Sequence, residues 1–261
     1  MGYPLDLKNP RSFSQRIVWK KIYDRNPLLP IVCDKYRVRQ YIKDVLGEEE
    51  AEKVLIPLLY ASDNPDTIPF DSLSGGYIVK PNHNSGSNII VEKGVAPDRE
   101  KIISDLKKQL KSAYGVFKHE WAYKKIKKRM FVIEKLLKDA NGGILKDYKF
   151  HMIHGKCAFI QVDYDRFSSH SRSLYDSNWN FIKTTLKYKQ GPITSRPYEL
   201  GKMLLLAAKL SKGFDYIRVD LYNIGDRIYF GELTQYPGSG VERFTPQSFD
   251  FELGKYWTNK K

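Results

Sequence analysis

The sequence predicts an α+β protein of several lobes. Segments whose apolar residues have helical spacing alternate with short apolar segments typical of strands. Two further segments each contain a tight turn between alternating runs, which indicates antiparallel hairpins. The chain has 261 residues, of which 41% are hydrophobic, so it can bury a large core. A globular fold is therefore expected, and a disordered chain is excluded.

Three helices are predicted from spacing and end signals. Residues 12–24 carry apolar side chains near helical spacing behind serines that can cap a helix. A second helix is expected within residues 34–47, with Asp34 at the N-cap and Gly47 at the end. A third is expected within residues 196–213, where a proline falls near the first turn and a glycine ends the segment.

The strands are predicted from short apolar or alternating runs. Two of them flank a polar, glycine-containing loop, another is a buried strand that leads into a turn, and two longer segments are hairpins. In that order they are residues 77–80 and 88–94, residues 130–137 with the turn at 139–143, and the hairpins 147–165 and 215–233.

The formal net charge of +14 indicates an anionic partner. Much of this charge lies in residues 107–129, where nine Lys and Arg accompany the single acid Glu120 and the pattern is mostly helical. A solvated helical face is the alternative interpretation of this basic stretch. No recognisable DNA- or RNA-binding module surrounds it, so nucleic acid is not expected as a partner.

The chain is expected to be cytosolic. Its start has no signal-peptide pattern, Asp6 replaces the Ser or Thr of a myristoylation site, and no apolar stretch suits a membrane span. The two cysteines, Cys33 and Cys157, are far apart and lack metal-ligand spacing. Both are predicted to be buried free thiols.

The second hairpin carries two carboxylates that indicate a cation site. Pairing its strands brings Asp220 and Glu232 together if both face the same side, and oxygen ligands suit magnesium. Arg218 lies two residues before Asp220, and the side-chain-poor turn at residues 237–240 follows Glu232. An Arg and exposed backbone N–H groups suit phosphoryl or oxyanion charge. Two unrelated surface carboxylates are the alternative.

Three further features suit a phosphate ligand. Lys80 ends a strand and is followed by the polar loop of residues 82–87, which lacks the Walker A pattern. Lys35 follows Asp34 near a helix start, and Glu134 ends a buried apolar run. Taken singly, each is also compatible with an ordinary loop, helix or strand-end surface position.

Taken in order, these segments resemble the ATP-grasp superfamily. The similar segments are DKYRVRQYI, YIVKPNHNSGSNIIV, FVIEKLL and RVDLY followed by YFGELTQYPGSG. The chain looks like the TupA-like branch, named for teichuronopeptide biosynthesis, because residues 9–42 and the segment DYKFHMIHGK also fit. The resemblance implies an ATP-grasp fold that holds the nucleotide between two α+β lobes. The implied division is 1–70 as an N-terminal lobe, 71–135 as the lid subdomain and 136–261 as the C-terminal lobe with the metal site.

The resemblance also implies roles for individual residues. Nucleotide binding is carried over to Lys35 and Lys80, to Ser85, Gly86 and Ser87 in the lid loop, and to Glu134 at the hinge. Magnesium would be held by Asp220 and Glu232. Arg218 and the N–H of Gly238 would face the reacting carbonyl, and Ser239 is assigned to the substrate.

One departure concerns the third metal ligand. Amino-acid-ligating relatives commonly have E-x-N before the Pro-Gly turn, whereas this chain has Glu232-Leu233-Thr234. The third ligand is therefore Thr234 or is absent. Asp147 and Lys149 are also similar to the family pattern, and they either position the substrate or pair with each other across the hairpin.

The expected function is that of an ATP- and Mg-dependent carboxylate–amine ligase acting through an acyl phosphate. It would attach an amino acid or amine to an acidic cell-surface polysaccharide, capsule component or lipid-linked glycan precursor, at the inner face of the membrane. One alternative is a kinase that phosphorylates a saccharide hydroxyl. Another is a non-catalytic glycan- or membrane-binding protein.

Overall fold

The structure is a computed structural model that describes residues 1–115, 118–139, 142–143, 145–164 and 169–257. Parts of the predicted turn at 139–143 and of the basic stretch lie outside these residues.

The chain divides into two compact units. The first unit comprises Met1–Asn26 and Leu145–Lys261, and the second comprises Pro27–Ile144. These two units are defined by contacts within the structure, and the first combines both ends of the chain. The three segments predicted from the sequence, 1–70, 71–135 and 136–261, are instead consecutive along the chain, and this division stays a prediction.

The described residues contain both helices and antiparallel sheets, so the predicted α+β class is confirmed. The helices are α1 (Phe13–Tyr23), α2 (Leu29–Val32), α3 (Val38–Leu46), α4 (Glu48–Val54), α5 (Arg99–Lys111), α6 (Trp121–Lys124), α7 (Leu200–Leu210) and α8 (Ser248–Tyr256). The strands are β1 (Leu58–Ser62), β2 (Tyr77–Pro81), β3 (Ile89–Val91), β4 (Phe131–Lys135), β5 (Tyr148–Ile153), β6 (Lys156–Tyr164), β7 (Ser171–Tyr175), β8 (Phe181–Ile182), β9 (Thr185–Leu186), β10 (Lys189–Gln190), β11 (Tyr216–Ile224), β12 (Arg227–Thr234) and β13 (Phe244–Thr245). Among the residues described, no helix has the length and apolar character needed to cross a membrane.

The predicted helices are present, with one correction at a cap. Helix α1 starts with a capping box in which Ser12 Oγ accepts a hydrogen bond from the Gln15 N–H. Asp34 is not the N-cap of α3, because this helix begins only at Val38. Its carboxylate instead accepts hydrogen bonds from two backbone N–H groups in the preceding turn, including that of Tyr36 at 2.9 Å.

The basic stretch is less helical than its pattern predicts. Helix α5 ends at Lys111, α6 spans only four residues, and the described residues between them are not helical. Gly115 explains part of the break, because its φ is +76° and a Cβ there would lie 2.9 Å from the Glu120 carbonyl oxygen.

The second unit is built on a four-stranded antiparallel sheet in the order β1-β4-β2-β3. Tyr77 and Val79 of β2 are buried together with Phe131 and Ile133 of β4. Helix α5 contributes Ile102 and Leu106 to the same core. Because side chains alternate along a strand, the residues between these buried positions lie on the other face of the sheet.

The first unit contains a larger sheet in the order β10-β7-β6-β5-β11-β12, with β8 paired to β7. Both predicted hairpins are present as the antiparallel pairs β5/β6 and β11/β12. Helix α7 packs against β5, β6 and β11. The Phe13 ring of α1 contacts the rings of Tyr216 and Trp257, with centroids 5.1 and 5.7 Å away.

Candidate functional site

Lys80 and Glu134 form an ion pair on one face of the four-stranded sheet. Lys80 Nζ lies 2.8 Å from Glu134 Oε2, and Arg39 Nη1 lies 3.2 Å from Glu134 Oε1. All three side chains are mostly buried. The trio carries one net positive charge, which suits an anionic ligand. Sequence reasoning missed Arg39, because nothing distinguishes it from the other basic residues of the second helix.

The loop after Lys80 has a fixed base. Asn82 accepts a hydrogen bond from the Met130 N–H at 3.0 Å and donates one to the Lys128 carbonyl at 3.0 Å. Lys35 donates two hydrogen bonds to this loop. Its backbone N–H donates to the Asn82 carbonyl, and its Nζ donates to the Asn84 carbonyl. Lys35 is thus placed at the loop expected to bind phosphates.

The tip of this loop comprises Ser85, Gly86 and Ser87. Ser85 and Gly86 are exposed, and Ser87 is half-buried. Gly86 has φ +85°, and a Cβ there would meet nothing within 4 Å. Backbone conformation, not crowding, therefore requires glycine at this position. The roles of these residues, of Lys35, Lys80 and Glu134 in nucleotide binding stay predictions.

In the first unit, strand pairing brings the two predicted metal carboxylates together. The register places Asp220 of β11 directly opposite Glu232 of β12, next to a β-bulge. Asp220 is buried, whereas the Glu232 side chain is 45% exposed. One carboxylate is thus fixed inside the protein, and the other remains open to a ligand.

Arg218 holds this pair in the present arrangement. Its Nε donates to Asp220 Oδ1 at 2.6 Å, and its Nη2 lies 2.7 Å from Asp220 Oδ2, 2.8 Å from Glu232 Oε1 and 3.0 Å from Thr234 Oγ1. Burial alone would lower the pKa of Arg218. The nearby Asp220 and Glu232 outweigh burial and raise this pKa well above its ordinary value.

Three oxygen atoms, from Asp220, Glu232 and Thr234, thus converge on one guanidinium nitrogen. Oxygen atoms of this kind are suitable ligands for a magnesium ion. Within the described part of the chain, no group of three or more His, Cys, Asp or Glu side chains is placed to hold a metal. A cation at this position would be held by Asp220, Glu232 and Thr234. The Arg218 guanidinium now occupies these oxygens, so a cation that binds them must displace its Nη2.

Lys149, on the neighbouring strand β5, adds a second cation at Asp220. Its Nζ lies 2.5 Å from Asp220 Oδ2 and also donates to Asp147 Oδ2. Burial lowers the pKa of Lys149, but Asp147 and Asp220 outweigh it, so the pKa is raised. Asp147 and Lys149 pair with each other locally, not across the hairpin, because Asp147 lies just before β5 and Lys149 is two residues further on.

The local structure explains why the turn after Glu232 contains glycine. Gly238 has φ +54°, and a Cβ there would lie 2.3 Å from Glu242 Cγ. Ser239 also has a positive φ, and Lys21 Nζ donates to its hydroxyl at 2.9 Å and to its carbonyl at 3.0 Å. No sequence signal identified Lys21. The roles predicted for Gly238 and Ser239 at substrate stay predictions.

A buried polar network continues from this cluster along the sheet. His151 bonds to the Tyr216 hydroxyl at 2.9 Å and to Gln161 Oε1 at 3.1 Å. Gln161 donates to Asp163, which forms an ion pair with Arg172. Burial keeps the pKa of His151 well below its usual range, so the ring is neutral at pH 7. No local sequence pattern predicts this network, because it depends on cross-strand neighbours.

The family model described as TupA-like ATPgrasp matches residues 15–258. This chain belongs to the TupA-like ATP-grasp family. None of the curated proteins compared with it gives a significant match.

Solved structures resemble the chain only distantly. D-alanine–D-alanine ligase from Bacillus anthracis, complexed with ATP, is 19% identical with a TM-score of 0.46, over 78% of this chain and 55% of that one. L-amino acid ligase from Bacillus licheniformis is 14% identical with a TM-score of 0.45, over 80% of this chain and 44% of that one. The chain therefore spans about half the length of these two proteins.

Proposed function

We propose that the protein is an ATP- and Mg-dependent carboxylate–amine ligase that forms an amide through an acyl phosphate. Its carboxylate substrate would belong to an acidic saccharide or lipid-linked glycan precursor, and its amine would be an amino acid or amino alcohol. Membership of the ATP-grasp family supports the use of ATP. The observation that carries the proposal is the convergence of Asp220, Glu232 and Thr234 oxygens around a single cationic nitrogen.

The nucleotide half of the reaction would use the second unit. Lys35 and Lys80 would bind phosphate oxygens through charge-assisted hydrogen bonds, with Ser85, Gly86 and Ser87 covering them. Glu134 would accept a hydrogen bond from the ribose or adenine. Its ion pair with Lys80 fixes both side chains before a ligand binds, which reduces the entropy lost on binding.

The chemical half would use the first unit. Asp220 and Glu232, with Thr234, would hold magnesium, which supplies neutralising charge to the transferred phosphoryl group. Phosphoryl transfer to the substrate carboxylate gives an acyl phosphate and ADP, and attack by the amine gives the amide, phosphate and a released proton. Arg218 and the Gly238 N–H would stabilise the tetrahedral oxyanion in the second step. Asp147, Lys149 and Ser239 would position the substrate.

The proposed acceptor agrees with the charge of the protein. A formal net charge of +14 attracts anionic polymers and anionic lipid headgroups over distances set by ionic strength. Such a ligase would work in the cytoplasm, at the inner face of the membrane where a lipid-linked glycan precursor is held.

Product analysis tests this proposal. Uronic acid oligosaccharides are incubated with ATP, magnesium and a panel of amino acids and amino alcohols. ADP, phosphate and the mass of the saccharide are then measured. A ligase gives equal amounts of ADP and phosphate, and the saccharide gains the mass of the amine less one water. Phosphate release must depend on both the carboxylate and the amine.

Two outcomes would count against the ligase. A saccharide that gains the mass of a phosphoryl group, without phosphate release, would establish the kinase. If the protein binds a saccharide but consumes ATP with none of the tested pairs of saccharide and amine, it would instead be a non-catalytic glycan-binding protein.

A further inference from the structure

The first unit contains a cavity of about 700 Å³ at the end of the sheet remote from the carboxylate pair. It is lined by the last turns of α1, by the β5/β6 turn at His154, and by the residues between α7 and β11. Ile153 pairs with Tyr216, four residues along from the Lys149/Asp220 pair, which corresponds to roughly 13 Å along the strands. The cavity is thus separate from the proposed metal site.

Two aromatic rings give the cavity an apolar wall. Trp19 and Tyr23 lie four residues apart and therefore on one face of α1, with ring centroids 5.5 Å apart. Tyr23 is 53% exposed, and both residues line the cavity. Aromatic faces with polar groups nearby suit a ligand that has both C–H faces and hydroxyl groups.

Two carboxylates of the cavity are held in place from behind. Lys20, whose side chain is fully buried, forms ion pairs with Asp24 and Asp215. Trp257 Nε1 also donates to Asp215 at 3.0 Å. The side chains of Asp24 and Asp215 remain 19% and 33% exposed. Since each carboxylate has about four acceptor positions, both retain the capacity to accept hydrogen bonds from ligand hydroxyls.

The cavity carries little net charge although the protein is strongly basic. Its lining contains two acids, Asp24 and Asp215, and two bases, Arg25 and Lys212, and the buried Lys20 that pairs with the acids adds one positive charge. With so small a net charge, the cavity suits a neutral polar ligand better than a polyanion.

We infer that this cavity is a binding site for neutral sugar units, with a pyranose face on Tyr23 and Trp19 and hydroxyls on Asp24 and Asp215. The site is remote from the carboxylate cluster. It would therefore hold one part of a polymer, and the carboxylate that reacts would belong to another part of the same polymer. That the bound sugars belong to the acceptor polysaccharide rests on the proposed function. That the cavity binds neutral sugars does not rest on it.

Ligand-observed NMR on the full chain, without ATP or metal, tests the inference. The probes are the neutral tetrasaccharides of cellulose, amylose, chitin and xylan, with trigalacturonate and free alanine as charged comparisons. At least one neutral tetrasaccharide should receive magnetisation at its ring C–H protons, with an affinity insensitive to salt. Tyr23→Ala should weaken that binding about tenfold or more, as loss of a central aromatic contact does.

Two control variants separate this site from general surface effects. Tyr23→Phe keeps the ring and should keep the binding, and Tyr198→Ala removes a tyrosine that is 84% exposed elsewhere in the same unit and should change nothing. Thermal unfolding of each variant verifies the fold. The inference is overturned if no neutral tetrasaccharide binds, if Tyr23→Ala and Tyr198→Ala act alike, or if alanine or trigalacturonate displaces the sugar. Because no step requires turnover, failure here leaves the ligase proposal standing.

Discussion

Asp220 is the most constrained residue of the candidate metal site, because two buried cations depend on its charge. Arg218 and Lys149 both bind it, and their side chains are 12% and 3% exposed. Glu232 has the same predicted role but a 45% exposed side chain. Neutralising the two carboxylates therefore has different consequences for stability, although the proposal gives both the same function.

We predict that Asp220→Asn and Glu232→Gln each abolish turnover while weakening ATP binding far less. Loss of one oxygen ligand misplaces the cation needed in the transition state. Asp220→Asn should also destabilise the fold by about 3–5 kcal/mol, the usual cost of breaking a buried ion pair. Glu232→Gln is the cleaner test, and near-normal turnover of this variant at saturating magnesium would remove Glu232 from the site. Denaturant unfolding and calorimetry with ATP supply the measurements.

Lys80 is the residue on which nucleotide affinity should depend most directly. Lys80→Ala is expected to weaken ATP binding by about 1.5–3 kcal/mol, because it removes a charge-assisted hydrogen bond. Arg39 still neutralises Glu134 in this variant, so the sheet should stay folded. Lys101→Ala, an exposed cation on α5, is the control. Equal ATP affinity of the Lys80 variant and the control in calorimetry would exclude Lys80 from the nucleotide site.

His151 makes stability depend on pH. Its folded-state pKa is lowered, so below the ordinary unfolded value of about 6.5 the unfolded chain binds a proton that the folded chain does not. Its contribution to stability is therefore complete above pH 6.5 and is lost as pH falls, by up to about 1.4 kcal/mol per pH unit. Imidazole ¹⁵N shifts should show a His151 ring that is still neutral at pH 6.5, where an ordinary imidazole is about half protonated. A protonated ring at that pH would contradict the prediction.

At the scale of elements, the turn at Pro237–Gly240 is tied to α1. A Cβ on Gly240 would lie 2.8 Å from Val18 Cγ2 and 3.0 Å from Ile17 Cγ2, both on α1. Lys21 of the same helix holds the Ser239 hydroxyl. The glycines therefore allow a helix to pack on the turn, in addition to any role in exposing backbone N–H groups to substrate.

Gly240→Ala should destabilise the first unit more than Gly225→Ala does. Both glycines have a positive φ, and so both substitutions strain the backbone, but a Cβ on Gly225 meets nothing within 4 Å. The difference isolates crowding and should be about 1–3 kcal/mol in urea unfolding. Equal destabilisation by the two substitutions would show that α1 moves away at no cost.

At the scale of the whole molecule, positive charge is concentrated on one part of the second unit. Lys124, Lys125, Lys127 and Lys128 are all exposed, and the last three line a cavity of about 750 Å³ together with Arg37. Asp63 is also part of this lining and forms an ion pair with Lys128 at 3.3 Å. The lining also includes the acid Asp34, and the remaining basic residues keep this surface positive.

Replacing Lys124, Lys125, Lys127 and Lys128 with Gln should raise the KM for an acidic polymer and spare the KM for ATP. The effect should shrink as salt increases, because exposed charges are screened within about 8 Å at physiological ionic strength. The matched control replaces four exposed lysines of the first unit with Gln, namely Lys183, Lys189, Lys202 and Lys209. This control removes the same amount of charge. If both quadruple variants raise the KM equally, only net charge matters, and the basic stretch has no specific role.

Local signals in the sequence are sufficient to predict the α+β class, the first helix, both hairpins and the pairing of Asp220 with Glu232. These features follow from local periodicity, capping and turn signals, which act over a few residues. The order of motifs along the chain was also enough for the family.

Tertiary structure decided the features that depend on long-range neighbours. Arg39 at Glu134, Lys21 at Ser239 and the His151 network are contacts between distant segments, and no local pattern encodes them. The break in the basic stretch arises in part because Gly115 packs closely against Glu120, which helical spacing does not reveal. The short strands β7 to β10 carry little periodicity of their own, and pairing with neighbouring strands fixes their conformation.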